Sequence, residues 1–137
     1  MRKFSIVVVD NDEDEQFFIK EGFDKAGLFD VLAQLENGDA LQRWLHENSS
    51  SLPDIILSDL NMPGKNGYDI LMDLKADPAY VHIPIIITST SSTPTIIERC
   101  LAMGASDYLV KPDTFLDYVP FIQNLHNIIV SKNLTGR

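Results

Sequence analysis

The chain has 137 residues, of which 45% are hydrophobic and 23% are charged, and this size and composition predict one globular domain with a substantial core. Eleven basic against twenty acidic residues give a formal net charge of −9, which opposes direct binding to nucleic acid or to anionic membranes. The single cysteine, Cys100, excludes an internal disulfide and favours a reducing compartment. No apolar run is long enough for a signal-peptide core or a membrane span, so the sequence predicts a soluble, cytoplasmic protein.

Predicted strands and helices alternate through the first half of the chain. Phe4–Val9 is almost entirely apolar and rich in β-branched residues, which is typical of a strand buried on both faces. Acids at 12–15 occupy the first turn of a predicted helix, where negative charge is favourable, and Gly27 ends this helix. Alternating residues at 31–35 predict a shorter strand nearer an edge. A turn and a helix N-cap at 37–39 then lead into a second helix.

The second half of the chain repeats this alternation. Its apolar stretches predict a strand, a helix, a strand, a helix and a strand, at residues 55–59, 68–74, 85–87, 94–101 and 108–110. A last helix is predicted from about Thr114 to Ser131, although Pro120 then requires either a later start or a kink. Five strands alternating with five helices predict an α/β fold, in which a parallel sheet is covered by helices on both faces.

Polar side chains follow four of these strands at the point where each strand ends. They are Asp10, Asn11 and Asp12 after the first strand, Asp59 after the third, Ser89 after the fourth and Lys111 after the fifth. In the flavodoxin-like strand order 2-1-3-4-5, the first and third strands are neighbours at the topological switch point, where such sheets bind ligands. We therefore expect the first acids and Asp59 to share one crevice.

This crevice has the chemistry of a phosphoryl site. Clustered carboxylates repel one another unless a cation lies among them, and oxygen ligands in a water-accessible site favour Mg²⁺. The metal and Lys111 can neutralise the oxygens of a phosphoryl group, to which Ser89 can donate a hydrogen bond. Asp59 can then act as the nucleophile.

Four segments of the chain resemble the motifs of one protein family. They are Val-Asp-Asn-Asp at 9–12, Ser-Asp-Leu-Asn-Met-Pro-Gly at 58–64, the hydroxyl residue Ser89, and Tyr-Leu-Val-Lys-Pro at 108–112. From Ile6 to about Leu125 the chain is similar to the receiver domain of bacterial two-component response regulators, in particular the single-domain, CheY-like kind. The expected receiver domain spans residues 1–131, and the expected tail at 132–137 is too short for an output domain.

The resemblance implies a role for each site residue. Asp59 accepts a phosphoryl group from a phosphohistidine on a histidine kinase or phosphotransfer protein, assisted by Ser89 and Lys111. Asp10, Asp59 and the backbone carbonyl of Asn61 bind Mg²⁺. The chain then catalyses only its own phosphoryl transfer and dephosphorylation, and is not otherwise an enzyme.

The resemblance also implies a conformational switch. Ser89 moves towards the phosphoryl group, Tyr108 turns inwards, and the face formed by the fourth helix, the fifth strand and the fifth helix changes its affinity for a partner protein. In this family the peptide bond between the residues that match Lys111 and Pro112 is typically cis, which the tertiary amide of proline makes accessible.

Position 11 departs from the family pattern. The family usually has two adjacent acids here, and the second, commonly a metal ligand, is replaced by Asn11. An amide oxygen still binds Mg²⁺, but a missing unit charge at roughly 4 Å corresponds to about 4 kcal/mol at an effective dielectric constant of about 20, before desolvation offsets much of it. Asp12 can substitute as a ligand and is equally well placed to cap the first helix. One alternative is therefore a receiver-like module that binds partners with little phosphorylation.

Two further functional classes share the predicted fold. A flavodoxin-like electron carrier requires a neutral loop after the first strand to bind the flavin phosphate, and acids stand there instead. A magnesium phosphohydrolase requires its own acid or base, and no histidine falls at a strand end. The sequence favours the receiver over both.

Overall fold

The computed structural model describes residues 3–112 and 117–136. Within these residues the strands are β1 (Phe4–Val9), β2 (Phe29–Leu35), β3 (Ile55–Asp59), β4 (Ile85–Ser89) and β5 (Asp107–Val110). The helices are α1 (Glu13–Ala26), α2 (Gly38–Glu47), α3 (Gly67–Lys75), α4 (Pro94–Ala102) and α5 (Val119–Ser131). All strand pairs are parallel and the order is β2-β1-β3-β4-β5, which confirms the predicted flavodoxin-like, doubly wound α/β fold. None of the helices in these ranges has the length and apolar character that crossing a bilayer requires.

The central strands β1 and β3 are buried on both faces of the sheet. Successive side chains of a strand point to opposite faces. Val7 and Ile56 therefore pack on the side of α2 and α3, together with Leu71. Val8 and Leu57 pack on the other side, with α1 and α5. This double burial explains why the two strands read as continuous apolar runs.

Local signals in the sequence fix most helix ends. Asp12 caps α1 and Asn37 caps α2, each by accepting hydrogen bonds from backbone N–H groups of the first turn. Gly27 ends α1 with a positive φ of 67°, a conformation that glycine adopts without strain. Pro94 lies in the first turn of α4, where its missing N–H leaves no hydrogen bond unmade.

The turn after β3 is held against the start of α3. Asn66 and Asp69 form a capping box, in which each side chain accepts a hydrogen bond from the other residue's backbone N–H. Gly67 directly follows Asn66, and a Cβ atom at this position would lie 2.9 Å from the Cα of Leu60. The absence of a side chain at Gly67 thus allows α3 to begin directly beside the segment that follows Asp59.

Helix α5 begins later than the sequence predicted. It starts at Val119, and Pro120 lies in its first turn. The predicted start near Thr114 falls in the range 113–116, which lies outside the described residues, and the described residues 117 and 118 are not helical. A proline in the first turn has no intrahelical hydrogen bond to lose, whereas an interior proline would break one. Of the two options that Pro120 left open, a later helix start or a kink, the structure has the later start.

Candidate functional site

The predicted site residues meet at the carboxyl edge of the sheet. Asp10 directly follows β1, Asp59 and Ser89 are the last residues of β3 and β4, and Lys111 directly follows β5. These strand ends lie side by side, because β1 pairs with β3, β3 with β4 and β4 with β5, all in parallel. All four residues are buried, with a relative exposure of 9% or less. The expected convergence of the strand ends is therefore present in the structure.

Lys111 lies at the centre of the cluster. Its Nζ is 3.2 Å from Oδ1 of Asp59 and 3.3 Å from Oδ2 of Asp10. The shortest of its three ion-pair contacts, 2.5 Å, is to Oε2 of Glu15 in α1. The backbone N–H of Lys111 donates to the carbonyl of Ser89 at 2.8 Å, which holds the residue beyond the end of β5. One ammonium is thus surrounded by three carboxylates.

Burial and mutual charge shift the pKa values of Asp59, Glu15 and Lys111. Burial raises the pKa of Asp59, which Lys111 opposes and Asp10 reinforces. Burial also raises the pKa of Glu15 to about 7, and its contact with Asp10 acts in the same direction. Burial opposes the charge of Lys111, but its hydrogen bond to Glu15 and the charges of Asp59 and Asp10 outweigh burial and raise the pKa of the lysine. Lys111 therefore stays protonated, and the excess negative charge favours uptake of a further cation or proton.

The three polar residues after β1 have different environments. Asp10 is buried, and its Oδ1 accepts a hydrogen bond from the backbone N–H of Asp12 at 2.9 Å while its Oδ2 faces Lys111. Asn11 and Asp12 are exposed. The Asp12 carboxylate accepts the backbone N–H of Glu15 at 3.1 Å as part of the α1 cap. Of the two roles open to Asp12, the structure shows the cap, and its role as a metal ligand stays a prediction.

An open, polar cleft gives access to Asp59 from solvent. Asn11, Asn61 and Thr90 line this cleft together with Asp59 and Ser89. Asn61 is exposed and its side-chain amide lies 3.3 Å from Oγ of Ser89, to which it donates a hydrogen bond. A ligand that enters the cleft can therefore meet an aspartate oxygen, a serine hydroxyl and the Lys111 ammonium together.

A hydrogen-bonded chain leads from Ser89 to Tyr108. Oγ of Ser89 accepts the backbone N–H of Ser91 at 3.2 Å, and the carbonyl of Ser91 accepts the hydroxyl of Tyr108 at 2.8 Å. Tyr108 is 7% exposed, and burial raises the pKa of its hydroxyl, which remains a donor. A displacement of Ser89 would therefore disturb the contact that holds the Tyr108 ring.

The carboxylates of the site fit a magnesium ion. Asp10, Glu15 and Asp59 each offer one carboxylate oxygen, and these oxygens lie within 4.8 Å of one another. Mg²⁺ prefers oxygen ligands, commonly one or two carboxylates with several waters, and the adjoining cleft is open to water. Asp10 and Asp59 were predicted as ligands. The contributions of Asn11 and of the Asn61 carbonyl stay predictions.

Glu15 was missed by the sequence analysis, which assigned it only to the acidic first turn of a helix. A signal was present, because Glu15 shares a helix face with Ile19, Gly22 and Phe23, the other buried residues of α1. An acid at a helical spacing of four and eight residues from apolar core positions points inwards, and a buried acid requires a partner.

The predicted cis peptide bond between Lys111 and Pro112 is wrong for this structure. The described residues contain no cis peptide bond, so the Lys111–Pro112 bond is trans. The trans form is the more stable one for a peptide bond that precedes proline, by about 0.5–1 kcal/mol.

Known proteins resemble this chain in sequence. The family model described as response regulator receiver domain matches residues 6–118. The two-component response regulator ORR13 of Oryza sativa subsp. japonica is 45% identical over 71 residues, which are 52% of this chain and 58% of the regulator, so the chain spans less than two thirds of that relative. Chemotaxis protein CheY1 of Helicobacter pylori is 30% identical over 109 residues, which are 80% of this chain and 86% of CheY1.

The fold is also found among solved structures. The phosphorylated cyanobacterial phytochrome response regulator RcpA superposes with a TM-score of 0.82 over 96% of each chain, at 23% sequence identity. At that identity the likeness concerns the fold alone, and it agrees with the five-stranded parallel sheet and its order. The family model covers most of the chain and CheY1 is similar over most of its own length. The chain therefore belongs to the response regulator receiver domain family.

Proposed function

We propose that the chain is a phosphoryl-accepting receiver in which Asp59 takes a phosphoryl group from a phosphohistidine on a histidine kinase or phosphotransfer protein. One observation carries the proposal: the buried carboxylate of Asp59 lies 3.2 Å from the Lys111 ammonium and lines an open polar cleft. Family membership supports the same assignment. The acids beside the cleft are unsuited to a flavin phosphate, which disfavours an electron carrier.

In the proposed transfer, an oxygen of Asp59 attacks the phosphorus atom and forms a new O–P bond. The P–N bond to the imidazole breaks, and the leaving nitrogen keeps the electron pair. Lys111 and the hydroxyl of Ser89 bind the phosphoryl oxygens. Mg²⁺ held by Asp10 and Asp59 would supply further neutralisation of the phosphoryl charge. The chain's own chemistry is limited to this step and to the hydrolysis of the aspartyl phosphate by water.

The proposed output follows the hydrogen-bonded chain at Ser89. A phosphoryl group on Asp59 draws the Ser89 hydroxyl towards it, so Ser91 loses its acceptor and Tyr108 loses a fixed partner. The ring of Tyr108 then turns inwards, and the face of α4, β5 and α5 changes its affinity for a partner protein. Exposed apolar side chains in α4 and β5, Leu101 and Val110, are consistent with a protein contact there. The cytoplasmic location stays a prediction.

Intact mass spectrometry tests the phosphoryl acceptor. The protein is incubated with Mg²⁺ and a small acyl phosphate and then weighed, and a gain of one phosphoryl group is expected. Asp59→Ala should abolish the gain. Asp24→Ala is the matched control, because it removes an exposed carboxylate of α1 that pairs with Lys20 at the surface, and it should leave the gain unchanged.

Two outcomes contradict the proposal. A gain that persists in Asp59→Ala would place the acceptor elsewhere. No gain in a folded wild-type protein, at any Mg²⁺ concentration, would favour the receiver-like module that binds partners without phosphorylation.

A further inference from the structure

The charge of the cluster depends on a residue outside the expected site. Asp10, Asp59 and Lys111 together carry a formal charge of −1, because two carboxylates face one ammonium. A second acid at position 11 would make this charge −2, but Asn11 is neutral. Glu15 brings a third buried carboxylate to Lys111 and restores −2.

The position of Glu15 is set by the start of α1. Its backbone N–H is bound by the capping carboxylate of Asp12, and its side chain lies on the buried face of the helix, four residues after Asn11. Its carboxylate is closer to Lys111 than either Asp10 or Asp59 is, at 2.5 Å against 3.3 and 3.2 Å. Burying such a group is unfavourable unless it is paired. The positive charge of Lys111 is therefore neutralised chiefly by Glu15, an acid that the family motif does not contain.

We propose that Glu15 is a positioning residue that compensates for Asn11: by binding Lys111 it leaves the charges of Asp10 and Asp59 available to Mg²⁺. Without Glu15, the ammonium would be neutralised only by the two carboxylates that hold the metal, and the two cations would compete for them. This inference rests on the proposed function, because it assigns the metal-binding role to Asp10 and Asp59. It implies that metal affinity in this chain depends on α1.

Isothermal titration of Mg²⁺ alone into the unphosphorylated protein tests the inference. The measurement is made at about pH 8, where an ordinary glutamate is ionised. Glu15→Gln should weaken Mg²⁺ binding by about 10-fold to 100-fold, the range seen when partners of ligand groups are removed. Glu13→Gln is the matched control: it makes the same change two residues earlier, at an exposed position beside the cleft, and should weaken binding by only about 2-fold.

The reciprocal variant separates charge compensation from a purely structural role. Asn11→Asp combined with Glu15→Gln keeps the formal charge of the cluster and should return the Mg²⁺ affinity to within about 3-fold of wild type, a difference of about 0.7 kcal/mol. Equal effects of Glu15→Gln and Glu13→Gln would overturn the proposal. A double variant that binds Mg²⁺ more than about tenfold more weakly than wild type would also overturn it. If Glu15→Gln alone does not fold, the Mg²⁺ affinity of the double variant still tests the proposal.

No phosphodonor enters this titration, so its result is independent of the mass measurement. Wild-type protein that binds Mg²⁺ through Glu15 but gains no phosphoryl group would contradict the proposed function and leave the inference on Glu15 standing. Wild-type protein that is phosphorylated, with unchanged Mg²⁺ binding in Glu15→Gln, would contradict the inference alone.

Discussion

The interior of the sheet and its carboxyl edge are buried to a similar degree but are stabilised in opposite ways. Along β3, Ile56 is fully buried among apolar side chains, and three residues later Asp59 is 6% exposed beside a lysine and other carboxylates. Burial of the apolar side chains contributes about 25 cal/mol per Å² to folding. Burial of the charges is unfavourable unless each is paired. The core therefore stabilises the fold, while the charged edge depends on its ion pairs to offset the cost of burial.

Lys111→Met should give the largest effect, because it removes the ammonium that contacts three buried carboxylates. We expect the free energy of unfolding to fall by about 3–5 kcal/mol in Mg²⁺-free buffer, as measured by urea denaturation. Added Mg²⁺ should recover part of this loss by binding to the folded state. Lys20→Met, which removes a half-buried lysine of α1 whose ion pair lies at the surface, should change the free energy by less than about 0.5 kcal/mol. A loss that Mg²⁺ does not reduce would show that the edge is not a cation site.

Leu71→Ala tests the apolar side of the comparison. Leu71 is fully buried between α3 and the sheet, and its truncation should lower the free energy of unfolding by about 2–5 kcal/mol. Unlike the loss in Lys111→Met, the difference from wild type should be the same with and without Mg²⁺, because no charge is altered. A difference that shrinks on addition of Mg²⁺ would mean that core packing and the edge are energetically coupled.

Asn66→Ala removes the cap that fixes α3 beside the segment after Asp59. We expect a loss of about 1 kcal/mol in the free energy of unfolding, because the backbone N–H of Asp69 loses its acceptor. Asn124→Ala is the control within a helix: it lies exposed in α5 and should be neutral or slightly stabilising, since alanine has the higher helix propensity. Thermal unfolding of the two variants distinguishes a cap effect from a general effect of losing asparagine.

Thr88→Val should have the smallest effect, at the boundary between the two regions. Thr88 is 4% exposed on β4 beside Asp59, and its hydroxyl has no hydrogen-bond partner among the described residues. Replacing an unpaired buried hydroxyl by a methyl group of similar shape should raise the free energy of unfolding by up to about 1 kcal/mol. Thr95→Val, at an exposed position of α4, is the control. A clear loss of stability in Thr88→Val would show that the hydroxyl belongs to the polar edge.

Much of the fold could be predicted because its signals are local. Apolar runs, helix caps and glycine turns each depend on a few neighbouring residues, and they placed the strands and helices in order along the chain. The predicted convergence of Asp10, Asp59, Ser89 and Lys111 followed from one further rule, that parallel strands end at the same edge. The catalytic roles of these residues stay predictions.

The sequence by itself thus determined the order of elements, the doubly wound fold and which strand ends carry polar groups, because local periodicity and parallel pairing leave few alternatives. Only the tertiary structure decided the rotation of α1 that buries Glu15, the start of α5 at Val119 and the trans bond before Pro112. The contact between Glu15 and Lys111 joins residues 96 positions apart, and it depends on how a helix packs on the sheet. Such packing is determined by the sum of many weak contacts, and no short sequence motif predicts it.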